Sequence, residues 1–70
     1  MTKRSFIALI KALGFEKHDK NAFRSNSDKL AVVVHEDRVA LVSCTSGRLC
    51  ESVDFNEIIE AIIKHRAGVL

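Results

Sequence analysis

Apolar residues at Phe6, Leu9, Ile10 and Leu13 recur at helical spacing, which predicts a first helix from about Lys3 to Leu13. Thr2 stands at its N-cap, Gly14 stands where a left-handed C-terminal residue is wanted, and Phe15 is placed to meet Ile10 across a Schellman-type turn. At the other end of the chain, Phe55, Ile58, Ile59, Ile62 and Ile63 form a second helical stripe that ends at Gly68. Asp54 and Glu57 have the spacing of a capping box, Val53 and Ile58 that of a hydrophobic staple, and Glu60 and Lys64 that of a favourable i,i+4 pair.

Between the helices the pattern changes to strands. Lys29 to His35 and Arg38 to Cys44 are rich in Val and Leu and are separated by Glu36-Asp37, a tight turn. Asn21 to Ser25 and Arg48 to Val53 read as flanking strands. The predicted order is α-β-β-β-β-α: an α+β fold with a four-stranded antiparallel sheet, three-stranded as the alternative, and both terminal helices on one face.

Strand alternation assigns the faces. A turn at Glu36-Asp37 pairs Val34 with Val39 and Val32 with Leu41, so Leu30, Val32, Val34, Val39 and Leu41 share one side. A turn at Asn26-Ser27 adds Phe23 opposite Leu30, and an odd-length turn centred on Gly47 adds Leu49 and Val53. This bulky face is expected under the helices. The other face then carries Ala22, Arg24, Lys29, Ala31, Val33, His35, Arg38, Ala40, Val42, Cys44, Arg48, Cys50 and Ser52, with four cations and no acid. Its apolar centre, Ala31-Val33 beside Ala40-Val42, lies where water would favour Thr, Lys or Glu, and exposed contiguous apolar surface marks interaction sites. The plainer alternative is that Val and Ala simply suit strands.

Composition narrows the class. Seventy residues, 47% of them hydrophobic and 29% charged, make one small globular domain spanning 1–70 with a thin stability margin. No apolar run reaches the roughly 18 residues of a membrane span, and no signal peptide is expected after Met1, so the expected setting is cytoplasmic. Two cysteines are too few for a disulfide scaffold and are read as free thiols. The net charge of +2 is small, but residues 1–35 hold seven Lys/Arg against three acids, and residues 36–70 hold four against six. One side of the domain should therefore be positive and another negative.

Candidate chemistry is sparse. His18, His35, His65, Cys44 and Cys50 lack the close ligand pairs of structural zinc, although the expected register sets the two cysteines side by side on neighbouring strands. Cys44 and His35 fall at opposite ends of their strands, Glu57 and Glu60 read as a solvated capping face, and three glycines form no phosphate loop. The sequence predicts no catalytic site, no metal, no cofactor and no enzyme.

The element order resembles small α-β-β-β-α folds such as double-stranded-RNA-binding domains and HicA-type RNase toxins, with Leu13-Gly14-Phe15 matching the junction after the toxins' first helix. Where the toxins' catalytic histidine motif would fall, Asp19 to Phe23 reads Asp-Lys-Asn-Ala-Phe, and no toxin residue carries over. The expected function is a non-enzymatic interaction module: a homodimeric regulator or inhibitor that binds another protein, with an acidic protein among the candidate partners. Small domains of this size are often encoded by phages and mobile elements, an analogy from size. The expected surface is Arg24, Lys29, Ala31, Val33, His35, Arg38, Ala40, Val42 and Arg48. The alternative is a nucleic-acid-binding regulator that uses this basic sheet face or helix 1. Single-strand binding is disfavoured, since Phe6, Phe15, Phe23 and Phe55 are needed in the core and Tyr and Trp are absent.

Overall fold

A computed structural model describes residues 1–68. Helix α1 (Lys3–Ala12) is followed by strands β1 (Glu16–Asp19), β2 (Ala22–Ser25), β3 (Leu30–Val34), β4 (Val39–Ser43) and β5 (Gly47–Ser52), and helix α2 (Phe55–Arg66). The strands form one antiparallel meander in the order β1-β2-β3-β4-β5. The α+β class matches the sequence pattern, but the sheet has five strands instead of four. The extra strand is Glu-Lys-His-Asp, exposed at every position. It has no apolar alternation to reveal it, as suits a charged edge strand that resists further pairing.

Both helices start and stop on the expected residues. Thr2 Oγ1 accepts the Ser5 amide at 3.1 Å. At the other end Phe15 N–H donates to Ile10 O and Gly14 N–H to Lys11 O, with Gly14 at φ 98°, which completes a Schellman motif. Asp54 caps α2 by accepting the Asn56 amide at 2.9 Å. The reciprocal arm of the capping box is absent, because Ser52 Oγ accepts the Asp54 N–H at 3.0 Å in place of Glu57. The staple is absent too: Val53 is 80% exposed, while Ile58 is fully buried. The Glu60–Lys64 pair forms at 2.9 Å.

The two helices run parallel. Phe6 stacks on Phe55 at their starts, with ring centroids 4.6 Å apart. At their ends Arg66 Nη1 donates to the Leu13 carbonyl at 2.6 Å. The core consists of Phe6 and Ile10 from α1, Phe15 just beyond it, Ile58, Ala61 and Ile62 from α2, and Phe23, Leu30, Val32, Val34, Val39 and Leu41 from the sheet. On α2 the buried arc runs through Ala61, whose small side chain lets the helix approach β4 and β5. Ile63, expected in the stripe, is 55% exposed, and Leu9 on α1 likewise borders solvent.

The β3–β4 hairpin has the expected register, with Val34 opposite Val39, Val32 opposite Leu41 and His35 N–H bonded to Arg38 O. The β2–β3 register differs: Phe23 faces Val32, and Ser25 faces Leu30. The turn runs over four residues, Asn26 to Lys29, with Lys29 at φ 55°. A slip of two residues leaves every side chain on its face, so the inward set survives the error.

The β4–β5 hairpin departs further. Its turn is Cys44-Thr45-Ser46, held by Ser43 Oγ, which accepts the amides of Thr45 and Ser46 at 3.2 and 3.1 Å. The register then shifts between Val42, opposite Arg48, and Leu41, opposite Cys50. Leu49 is the extra residue of a β-bulge. A one-residue shift exchanges faces, so Cys50 joins the core side and Glu51 comes to the open face. Cys44 and Cys50 are therefore not side by side, and Val53, beyond the strand, is not part of the inward set.

Candidate functional site

The uncovered sheet face is built from two rows that cross the strands. Ala22, Val33, Ala40 and Glu51 make one, and Arg24, Ala31, Val42 and Arg48 the other, with Glu16 opposite Arg24 on the edge. Ala31, Val33 and Val42 are half-buried although no element covers them, and Ala40 is only 4% exposed. Ala40 lies between Val33 and Glu51, and these longer neighbours shade its methyl group.

The sequence pattern predicts four cations and no acid on this face, but Glu51 lies on it. Glu51 Oε2 accepts from Arg38 Nε at 3.0 Å, and Glu51 Oε1 lies 3.6 Å from Arg48 Nη1. Asp37 contacts the other side of Arg38 at 3.2 Å. The bulge thus gives two of the four expected cations an acid. Arg24 has no ion pair among the described residues, and its Nε is buried without an acceptor. Lys29 and His35 lie in the turns flanking β3, exposed, outside the paired part of the strand. Of the nine residues expected in the surface, the structure gathers Arg24, Ala31, Val33, Ala40, Val42 and Arg48 in the two rows, joins Arg38 to them through Glu51, and leaves Lys29 and His35 at the rim. Glu51 and Glu16 were missed. A bulge leaves no local trace in the sequence, and a polar edge strand has no periodicity.

Among the described residues, two of the recesses on the helix side bear on function. One, about 270 Å3, opens between β5 and α2 and is lined by Leu49, Cys50, Glu57, Glu60, Ala61 and Lys64. The other, about 260 Å3, opens between α1 and the β1–β2 hairpin, among Lys3, Ile7, Lys11, Lys17, Lys20, Asn21, Phe23 and Val34. Among the described residues no three His, Cys, Asp or Glu side chains gather as metal ligands. No helix there is long and apolar enough to cross a membrane.

One other polar cluster stands out. Arg66 donates from Nε to Asp28 at 2.6 Å and from Nη1 to Leu13 O, and its guanidinium lies 5.2 Å from the Phe15 ring centre. Partial burial alone would raise the Asp28 pKa. The hydrogen bond from Arg66, the nearby Ser25 hydroxyl and the charge of Arg66 together outweigh burial and hold it below the ordinary value. This cluster locks the end of α2 to the end of α1 and to the β2–β3 turn, which is a structural task. The molecule is thus a one-sided meander with two parallel helices, an open face of mixed charge and a basic groove behind its edge. No known protein family, no curated protein and no solved structure matches the chain.

Proposed function

We propose that this domain is a non-enzymatic interaction module that associates with a second copy of itself through the uncovered sheet face, and that the dimer acts as a regulator by occupying partner surfaces. The observation that carries the reading is Glu51. With Glu51 and Glu16 set beside Arg24, Arg38 and Arg48, the face holds both signs around the apolar Ala31, Val33 and Val42. A uniformly cationic face would repel its copy, whereas a mixed one is self-complementary under two-fold symmetry. The unpaired Arg24 could meet an acid of the facing subunit. Two free cysteines suit a reducing, cytoplasmic setting.

The sheet-face version of the nucleic-acid reading is weakened for the same reason, since Arg38 and Arg48 are already committed to Glu51. Size sets the expected affinity of the dimer. Five strands about 4.8 Å apart and about 17 Å long span roughly 330 Å2, under half of the ~800 Å2 per partner of a standard interface. The rim must therefore contribute, and the dimer should dissociate on dilution, with a Kd in the micromolar range. Sedimentation equilibrium across that range tests this. Val33→Asp should leave a folded monomer at every concentration, because its carboxylate is desolvated only when a partner covers it. A folded Val33→Asp protein that still dimerises would refute the surface, and a wild-type chain that stays monomeric at millimolar concentration would refute the dimer.

A further inference from the structure

The ion pairs of the described residues are unevenly distributed. They use Arg38, Arg48, Lys64 and Arg66, all in the second half of the chain. The seven cations of residues 1–35 have no ion pair among the described residues. Four of these seven, Lys3, Lys11, Lys17 and Lys20, surround the groove between α1 and the β1–β2 hairpin. Lys3, Ile7 and Lys11 follow one another at i,i+4 spacing on one face of α1. Lys17 faces them from β1, on the helix side of the sheet because it pairs with Phe23, and Lys20 comes from the turn. No acid lines the groove. Four exposed lysines around one groove raise a local positive potential that a polyanion would neutralise, although Lys3 also borders a recess that holds Glu36 and Asp37.

We propose that this groove is a docking track for the phosphate backbone of double-stranded nucleic acid, on the opposite side of the sheet from the dimer face and independent of it. The shape of the charge favours this occupant. Lys3 and Lys11 are about 12 Å apart along the helix axis, the rise of three to four base pairs. All four groups are lysines, point charges that can follow a repeating phosphate backbone without demanding a two-pronged geometry. Beyond the half-buried Ile7, the floor offers an acidic peptide little apolar anchorage, since Phe23 and Val34 are 4% and 5% exposed and already belong to the core. Single strands are disfavoured because no aromatic ring is available for stacking: Phe6, Phe15 and Phe23 are buried, and Phe55 is stacked on Phe6. Base edges are not addressed, so binding should be independent of sequence.

Fluorescence anisotropy with the full chain and labelled 16-base-pair duplexes, one DNA and one RNA, tests the assignment. Four phosphate contacts predict a slope of log K against log salt near −3.6, a loss of ~150-fold between 50 and 200 mM salt. Lys11→Gln combined with Lys17→Gln should halve the slope and leave a loss of only ~12-fold over the same range. Lys64→Gln, on α2, should change neither. All three positions are exposed, and circular dichroism verifies folding. Binding of either duplex with these slopes supports the track. Absence of duplex binding at 50 mM salt, a slope shallower than about −1, or an equal effect of Lys64→Gln would overturn it. Tighter binding of oligothymidine would assign a stacking surface instead, and tighter binding of polyglutamate an acidic protein partner, and each excludes the proposal.

Discussion

At the scale of single residues, Arg66 holds more of the fold together than any other polar side chain. It bonds Asp28, the Leu13 carbonyl and, at 3.4 Å, Ser25, and it lies over Phe15. Arg66→Ala should cost about 2 kcal/mol, read from the urea midpoint, since it frees a partly buried carboxylate and a helix-end carbonyl together. The pH dependence follows from Asp28. Its folded-state pKa is depressed, so the stabilisation is complete above the ordinary value of 3.8 and is lost as pH falls below it. Asp28→Asn should therefore be less stable than wild type at pH 6 and should lose less stability between pH 5 and pH 2, a comparison made by thermal melts across that range. The caps give a second contrast. Asp54→Ala should lower stability by ~1 kcal/mol, whereas Glu57→Gln should change it by no more than a few tenths, because Ser52 already accepts the Asp54 amide. A large effect at Glu57 would mean that the closed capping box forms in solution.

At the scale of elements, what could be read from the sequence divides by whether the signal is local. Both helix caps and the β3–β4 turn depend on neighbouring residues, and they appear where the spacing places them. The β2–β3 turn was two residues too short because Lys29, with φ 55°, occupies a left-handed position that few non-glycine residues adopt. The face assignment survived only because two is even. The β5 bulge falls where Leu49 and Cys50 border the recess beside α2, a tertiary relation that strand alternation does not encode. Two experiments follow. Val32→Asp should unfold the domain, while the adjacent Val33→Asp should not, since Val32 is fully buried beneath the helices and Val33 faces the other way. Mild oxidation should not form an intrachain Cys44–Cys50 bridge, and alkylation should modify exposed Cys44 well before half-buried Cys50. A rapid intrachain bridge, detected by mass spectrometry, would show that β5 pairs without the bulge.

At the scale of the whole molecule, the sheet separates two surfaces with different physics: an apolar face with paired charges in front, and unpaired lysines behind its edge. Neither carried a sequence motif. The front depends on the faces of five strands, and the lysines come from positions 3, 11, 17 and 20, which only the fold brings together. Monomeric Val33→Asp should keep the salt slope of one groove, and its thermal midpoint should rise as duplex is added, measured by differential scanning fluorimetry. The strand order also has a kinetic consequence. Each strand hydrogen-bonds only to its immediate neighbours in the chain, so the sheet can grow hairpin by hairpin with short loop closures, and refolding should take milliseconds or less. The contacts of Arg66 with Asp28, Ser25 and Leu13, separated by 38, 41 and 53 residues, close far longer loops and should form after the barrier is crossed. In stopped-flow experiments Arg66→Ala should leave the refolding limb almost unchanged and accelerate unfolding about 30-fold, so the latch would govern how long the domain stays folded and leave its folding rate unchanged.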